Sequence, residues 1–147
     1  MRSEMVTKYP LPVFLNNRCT RTQYKKWLQA KATAHVRRDK KGGNESAAIS
    51  EYKEAIHSAV TASGGFDVYT CLPLKWELIS RYDNAEAKSG GRAYKRRFRE
   101  LPTVDHVGDG LGRPDFKICS WRVNDAKSDL TLPEFLVLCR QVLRHNS

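Results

Sequence analysis

The reading turns on residues 101–135, LPTVDHVGDGLGRPDFKICSWRVNDAKSDLTLPEF. Leu101 to Val107 is a short apolar segment that carries the adjacent pair Asp105-His106 near its end. Gly108, Gly110, Gly112 and Pro114 follow and demand a tight, irregular loop. Phe116 to Trp121 alternates as a second strand, and the polar stretch from Arg122 to Asp129 suits a short helix. Strand, loop, strand, helix is a ββα unit. Thr131-Leu132-Pro133-Glu134 then reads as a helix start, with Thr131 as N-cap, Pro133 in the first turn and Glu134 three residues on. That closing helix, to about Arg144, carries Leu132, Phe135, Leu136, Cys139, Val142 and Leu143 and is expected to pack as core.

Upstream the chain reads as helical. Residues 1–19 contain Pro10 and Pro12 and look extended. Thr20 or Thr22 can cap a helix running to about Arg38, on which Tyr24, Trp27, Leu28, Lys31 and His35 recur at helical spacing. Lys40 to Asn44 breaks it, and a second helix is expected from about Ser46 to Ala62, ended by Gly64-Gly65. Phe66 to Thr70 alternates as a short strand, and Leu74 to Tyr82 suits a short helix. Asp83 to Phe98, interrupted by Gly90-Gly91, reads as a loop followed by a helical turn. The expectation is an α+β chain, mostly helical with a C-terminal ββα unit. A basic helical region, 1–65, leads into the region 66–147, and the two form one compact domain.

Composition narrows the function. Hydrophobic residues make up 40% of the 147, which is enough for a core and argues against wholesale disorder. The apolar runs are too short to span a bilayer, and the N-terminus has no apolar region of a secretory signal. Membrane and exported classes are therefore poor fits, and a cytoplasmic protein is expected. The net charge of +10 favours a polyanionic partner, and nucleic acid is the commonest. Residues 1–45 carry a net +8 of it, against +2 for residues 46–147. Arg37, Arg38, Lys40 and Lys41, with the later run Arg92, Lys95, Arg96, Arg97 and Arg99, are the candidate phosphate contacts. Cys19, Cys71, Cys119 and Cys139 show no CxxC pair and no histidine at zinc-finger spacing, so no structural zinc is expected and most read as small reduced core residues.

In order and spacing, residues 101–135 resemble the HNH nuclease motif of the His-Me finger superfamily, a ββα-metal unit. The family places an Asp-His pair at the end of the first strand, an Asn before the second, and an Asn or His nine residues later on the helix. Here these positions hold Asp105-His106, Asp115 and Asn124. The tail Asn124-Asp125-Ala126-Lys127-Ser128-Asp129 is similar to the N-x-x-K-[SG]-D of the HNH domain of RNA-guided CRISPR nucleases. The resemblance covers roughly a fifth of the chain.

It implies a metal-dependent endonuclease acting on DNA, although phosphate contacts alone do not report the sugar. His106 would be the general base, since a neutral imidazole accepts a proton near pH 7. Asp105 and Asn124 would be oxygen ligands of a single hard cation, Mg²⁺ or Mn²⁺. Adjacent strand residues point to opposite sides, so Asp105 and His106 can serve different tasks. Asp115 stands where the family has Asn, and would brace the loop or orient the His106 imidazole. Lys127 would contact phosphate. Ser128 replaces the histidine of three-ligand members, which leaves water, Asp125, Asp129 or His145 to complete the metal sphere. Phe116 and Trp121 read as hairpin core, and His35 and His57 as helix residues without partner ligands. The rival reading is a non-catalytic nucleic-acid-binding module that keeps the HNH shape.

Overall fold

A computed structural model describes residues 8–147, so residues 1–7 of the expected extended segment lie outside the described residues. The chain is α+β, with five helices and one two-stranded antiparallel sheet among the described residues. A 3-10 turn at Val13–Leu15 precedes α1, Arg21–Lys41. Thr20 caps α1 with a full capping box: its hydroxyl accepts from the Gln23 amide and the Gln23 side chain accepts from the Thr20 amide. Helix α2, Ile49–Ser63, ends at Gly64 in the left-handed conformation. Tyr24, Leu28, Ala32 and Val36 of α1 meet Tyr52, Ile56 and Val60 of α2 in the buried core.

The same core takes in Val104, Phe116 and Ile118 of the sheet, so the helical region and the hairpin share one hydrophobic interior. Strand β1, Pro102–Val107, pairs with β2, Asp115–Ser120, with Asp105 opposite Lys117 and His106 opposite Phe116. Helix α4, Trp121–Lys127, follows β2 directly, is capped by the Ser120 hydroxyl and packs on both strands. Helix α5, Leu132–Asn146, begins with the expected capping box on Thr131 and Glu134.

Five expectations need correction. Residues 67–70 form a turn, and Phe66 makes an isolated bridge to Pro73. The buried Asp67 carboxylate accepts the amides of Tyr69 (2.8 Å) and Thr70 (3.2 Å), which outcompetes a ladder. Residues 84–97 are helical on both sides of a kink, together α3, Asn84–Arg97: Asp83 caps the first stretch, where a loop was expected, and Gly91, at φ 53°, breaks the helix between the two. Tyr94 and Phe98 beyond the kink stack at 4.4 Å in a second small cluster with Leu101. Trp121 belongs to that cluster, at the start of α4, and is not part of the hairpin core. Finally, α5 buries none of its side chains: Leu136, Val142 and Leu143 are 41%, 55% and 68% exposed. The reading of most cysteines as core residues is corrected too: only Cys119 is buried, Cys19 is half-buried, and Cys71 and Cys139 are exposed because they lie on the 67–72 turn and on the unburied α5. No helix among the described residues is long and apolar enough to cross a membrane.

Candidate active site

The hairpin, the C-terminal part of α1 and α4 enclose a polar cavity of about 520 Å³. His106 and Asp105 reach it from β1, Asn124 and Lys127 from α4, and His35 and Asp39 from α1. Asp105, His106, Asn124 and Lys127, four of the residues singled out in the sequence, are therefore brought together.

Their surroundings differ on the two sides of β1. On one side the Asp105 carboxylate is buried, at 6% exposure. Its Oδ2 accepts from the Tyr69 hydroxyl at 2.5 Å and from Lys127 Nζ at 3.0 Å. The Asp67 turn is what presents Tyr69, since the same carboxylate also takes the Ser120 amide at the end of β2, at 2.9 Å. Burial and the Asp105 carboxylate push the Tyr69 hydroxyl far above its ordinary pKa, so it stays a donor. Lys127 also donates to the Leu130 carbonyl at 2.6 Å and lies 5.7 Å from the centre of the Tyr69 ring. The expected phosphate contact is thus a buried ammonium held by the protein's own oxygens.

On the other side His106 faces α1. Its Nε2 lies 2.8 Å from Asp39 Oδ2, and that oxygen also accepts from the Tyr52 hydroxyl at 2.5 Å. Phe116 stands edge-on to the imidazole at 5.1 Å, and the His35 ring lies 5.7 Å away. Burial, with the neighbouring His106, Lys31 and Arg38, pulls the His35 pKa down to about 4. His35 Nδ1 has no hydrogen-bond partner among the described residues. His35 is thus a helix residue without a ligand partner, as its position suggests, and its ring packs against the candidate base. His57 instead bonds the Tyr24 hydroxyl at 2.6 Å, as a core histidine would.

The Gly-rich loop is pinned to the same helix. The buried Asn44 side chain donates to the Gly110 carbonyl at 2.8 Å. Gly110 has φ +78°, and a Cβ there would sit 2.5 Å from Asp39 Oδ1. Only glycine allows that backbone to close over the carboxylate.

Asp115 does not do what its position implies. It pairs with Val107 at the mouth of the hairpin and is exposed, and Asp39 makes the contact with His106 in its place. His145, near the exposed end of α5, is not among the residues lining the cavity, whereas Asp125 and Asp129 are.

A hard cation suits the donors that remain. Asp105 Oδ1 and the Asn124 side chain bear no protein hydrogen bond among the described residues, and both open on the cavity. No group of three or more His, Cys, Asp and Glu side chains fit to hold a metal occurs among the described residues. Two protein oxygens with water and substrate oxygens match how Mg²⁺ is usually held, and differ from a closed thiolate cage.

The basic residues flank this cavity. Arg37, Arg38, Lys40 and Lys41 are exposed at the end of α1, and Arg38 lines the cavity itself. Arg92, Lys95, Arg96, Arg97 and Arg99 are exposed on and after the second half of α3. Lys95, Arg96 and Arg99 line a second cavity that shares Trp121 and Asp125 with the first. Lys95 contacts Asp125 at 3.2 Å, and Arg97 lies over the Tyr94 and Phe98 rings.

Sequence reasoning missed Asp39, Tyr52 and Tyr69. One signal was available for Asp39: it is the only acidic residue among the 21 of α1, four positions after His35. Helical spacing puts Tyr52 on one face of α2 with Ile56 and Val60, but nothing in it marks either tyrosine as a partner of a site carboxylate. Compared with family models, with characterised proteins and with solved structures, the chain gives no match in any of the three.

Proposed function

We propose that the chain is an HNH-type, metal-dependent endonuclease that hydrolyses phosphodiester bonds in DNA. The observation that carries this reading is the convergence of Asp105, His106 and Asn124 on one polar cavity flanked by exposed arginines and lysines. In this reading Arg38 and its neighbours on α1, with Arg96 and Arg99, draw the phosphate backbone across the cavity mouth. His106 accepts the proton of the attacking water. Asp105 and Asn124 would hold the cation, which when bound neutralises charge on the scissile phosphate and on the departing oxygen.

A second reading has a specific observation in its favour. Lys127 already neutralises Asp105, so the ion pair could be a permanent structural element of a non-catalytic nucleic-acid-binding module. Nicking of supercoiled plasmid with and without Mg²⁺ decides between them. The endonuclease reading expects cutting in Mg²⁺ or Mn²⁺ that stops on chelation while the fold persists. Metal-independent plasmid binding with no cutting by freshly purified protein would favour the module. Tightly held, stoichiometric zinc with melting on chelation would contradict the reading of the cysteines.

A further inference from the structure

We infer that Asp39 is a positioning residue for His106, holding the imidazole as its Nε2–H tautomer and turning Nδ1 toward the attacking water. The inference rests on the endonuclease reading and extends the active unit beyond the hairpin and α4 to α1 and α2.

Three features of the contact argue for a built device. First, Asp39 Oδ2 already accepts the Tyr52 proton, so the 2.8 Å contact places a hydrogen on His106 Nε2. A neutral imidazole with its hydrogen on Nε2 has its lone pair on Nδ1, and no protein group bonds that nitrogen among the described residues. Second, both side chains are 7% exposed or less, so water competes little for the contact between Nε2 and Asp39. Third, the surroundings hold Asp39 in place: the Tyr52 hydroxyl of α2 donates to its carboxylate, the Gly110 backbone of the loop closes over that carboxylate, and the main-chain N–H of Asn44 bonds its main-chain carbonyl at 2.9 Å. A buried carboxylate on a helix whose other charged residues are all basic is costly unless it is paired. Tyr52 and His106 are its partners.

The step it serves balances as follows. The water proton passes to His106 Nδ1 as the water oxygen bonds to phosphorus. The bond from phosphorus to the leaving sugar oxygen breaks, its electron pair stays on that oxygen, and solvent supplies the proton that completes the alcohol. The imidazolium formed is then paired with Asp39 through Nε2–H, as in other carboxylate–histidine arrangements.

Two measurements on the full-length chain test this. Long-range ¹H–¹⁵N spectra of the metal-free protein at about pH 8.5, above the ordinary imidazole range, should show His106 as the Nε2–H tautomer. In Asp39→Asn, an isosteric change, the alternative tautomer should appear, and kcat should drop by ~10²-fold or more while KM and DNA affinity stay near wild type. A merely structural role would lower stability and leave the tautomer and the kcat of the folded fraction unchanged, which would overturn the inference. An Nδ1–H tautomer in wild type would overturn it too, with no variant required. If wild type cuts nothing with any divalent metal, the endonuclease reading falls, and the tautomer still decides whether Asp39 orients His106.

Discussion

Lys127 Nζ lies 3.0 Å from Asp105 Oδ2, and both side chains are 7% exposed. Removing one partner of such a pair strands the other, at a cost of about 3–5 kcal/mol. Lys127→Met should therefore melt well below wild type in chelator, because Asp105 keeps only the Tyr69 hydroxyl. A divalent cation bound through Asp105 should restore more of the lost Tm in the variant than it adds to wild type. Thermal melts in chelator and in Mg²⁺ or Mn²⁺ measure both effects. A Lys127→Met melting point equal to wild type would show that the ion pair contributes nothing, and no cation effect would argue against Asp105 as a ligand.

The basic surface makes a separate prediction. Arg37, Arg38, Lys40 and Lys41 are exposed at the end of α1, where Arg38 lines the cavity, so neutralising them should weaken DNA binding and flatten its salt dependence. The slope of log K against log salt should fall by about 0.9 for each phosphate that the variant no longer neutralises. Titrations at several salt concentrations read this directly. An unchanged slope would remove the end of α1 from the DNA-binding face.

His35 sets a limit on acid stability. Its folded pKa is about 4, held down by burial, against an ordinary value of 6.5. Between those values the unfolded chain binds the proton and the folded chain does not, so stability rises with pH across that window and is lost as pH falls through it. The contribution approaches about 1.4 kcal/mol per pH unit at most. His35→Gln should flatten the denaturation midpoint between pH 6.5 and 4, measured in urea at several pH values. A variant as acid-sensitive as wild type would place the titration elsewhere.

The parts of this molecule that sequence patterns report are those fixed by neighbours in the chain. Thr131 with Glu134 announced α5 because a capping box is local, Thr20 or Thr22 offered a start for α1 and Thr20 supplies it, and the apolar segment before the glycines and the alternation after them marked the two strands. The grouping of Asp105-His106 with Asn124 is what the resemblance implied, and the three line one cavity. Contacts that cross the fold left little trace. Asp39 lies 67 residues before His106, and Tyr69 lies 36 before Asp105. Periodicity also misjudged α5: its apolar stripe reads as a core face, yet the main core is closed by α1, α2 and the sheet, and the stripe stays exposed. The strand expected at Phe66 to Thr70 failed because Asp67 bonds its own following amides, a competition that alternation does not register.

The sharpest comparison is between His106 and Asp115, which the resemblance alone would treat as one unit. His106 is nearly buried, faces the cavity and has its Nε2 fixed by Asp39. Asp115 is exposed at the hairpin mouth, opposite Val107. If His106 takes the proton of the attacking water, His106→Ala should lower cleavage by at least ~10²-fold while DNA affinity barely changes. Neither Mg²⁺ nor Mn²⁺ should rescue it, because both proposed metal oxygens remain. Asn124→Ala should also lose cutting, but through weaker metal occupancy, so raised Mn²⁺ should restore part of it. Asp115→Ala removes an exposed carboxylate with no partner in the site, and its rate should stay within about twofold of wild type, as for most surface substitutions. All four proteins are compared on one plasmid at one salt concentration. A His106→Ala rate equal to wild type would sink the catalytic assignment. A large loss in Asp115→Ala with His106 and the metal oxygens intact would show that the loop ending at Asp115 must be braced during cutting, and would return Asp115 to the site.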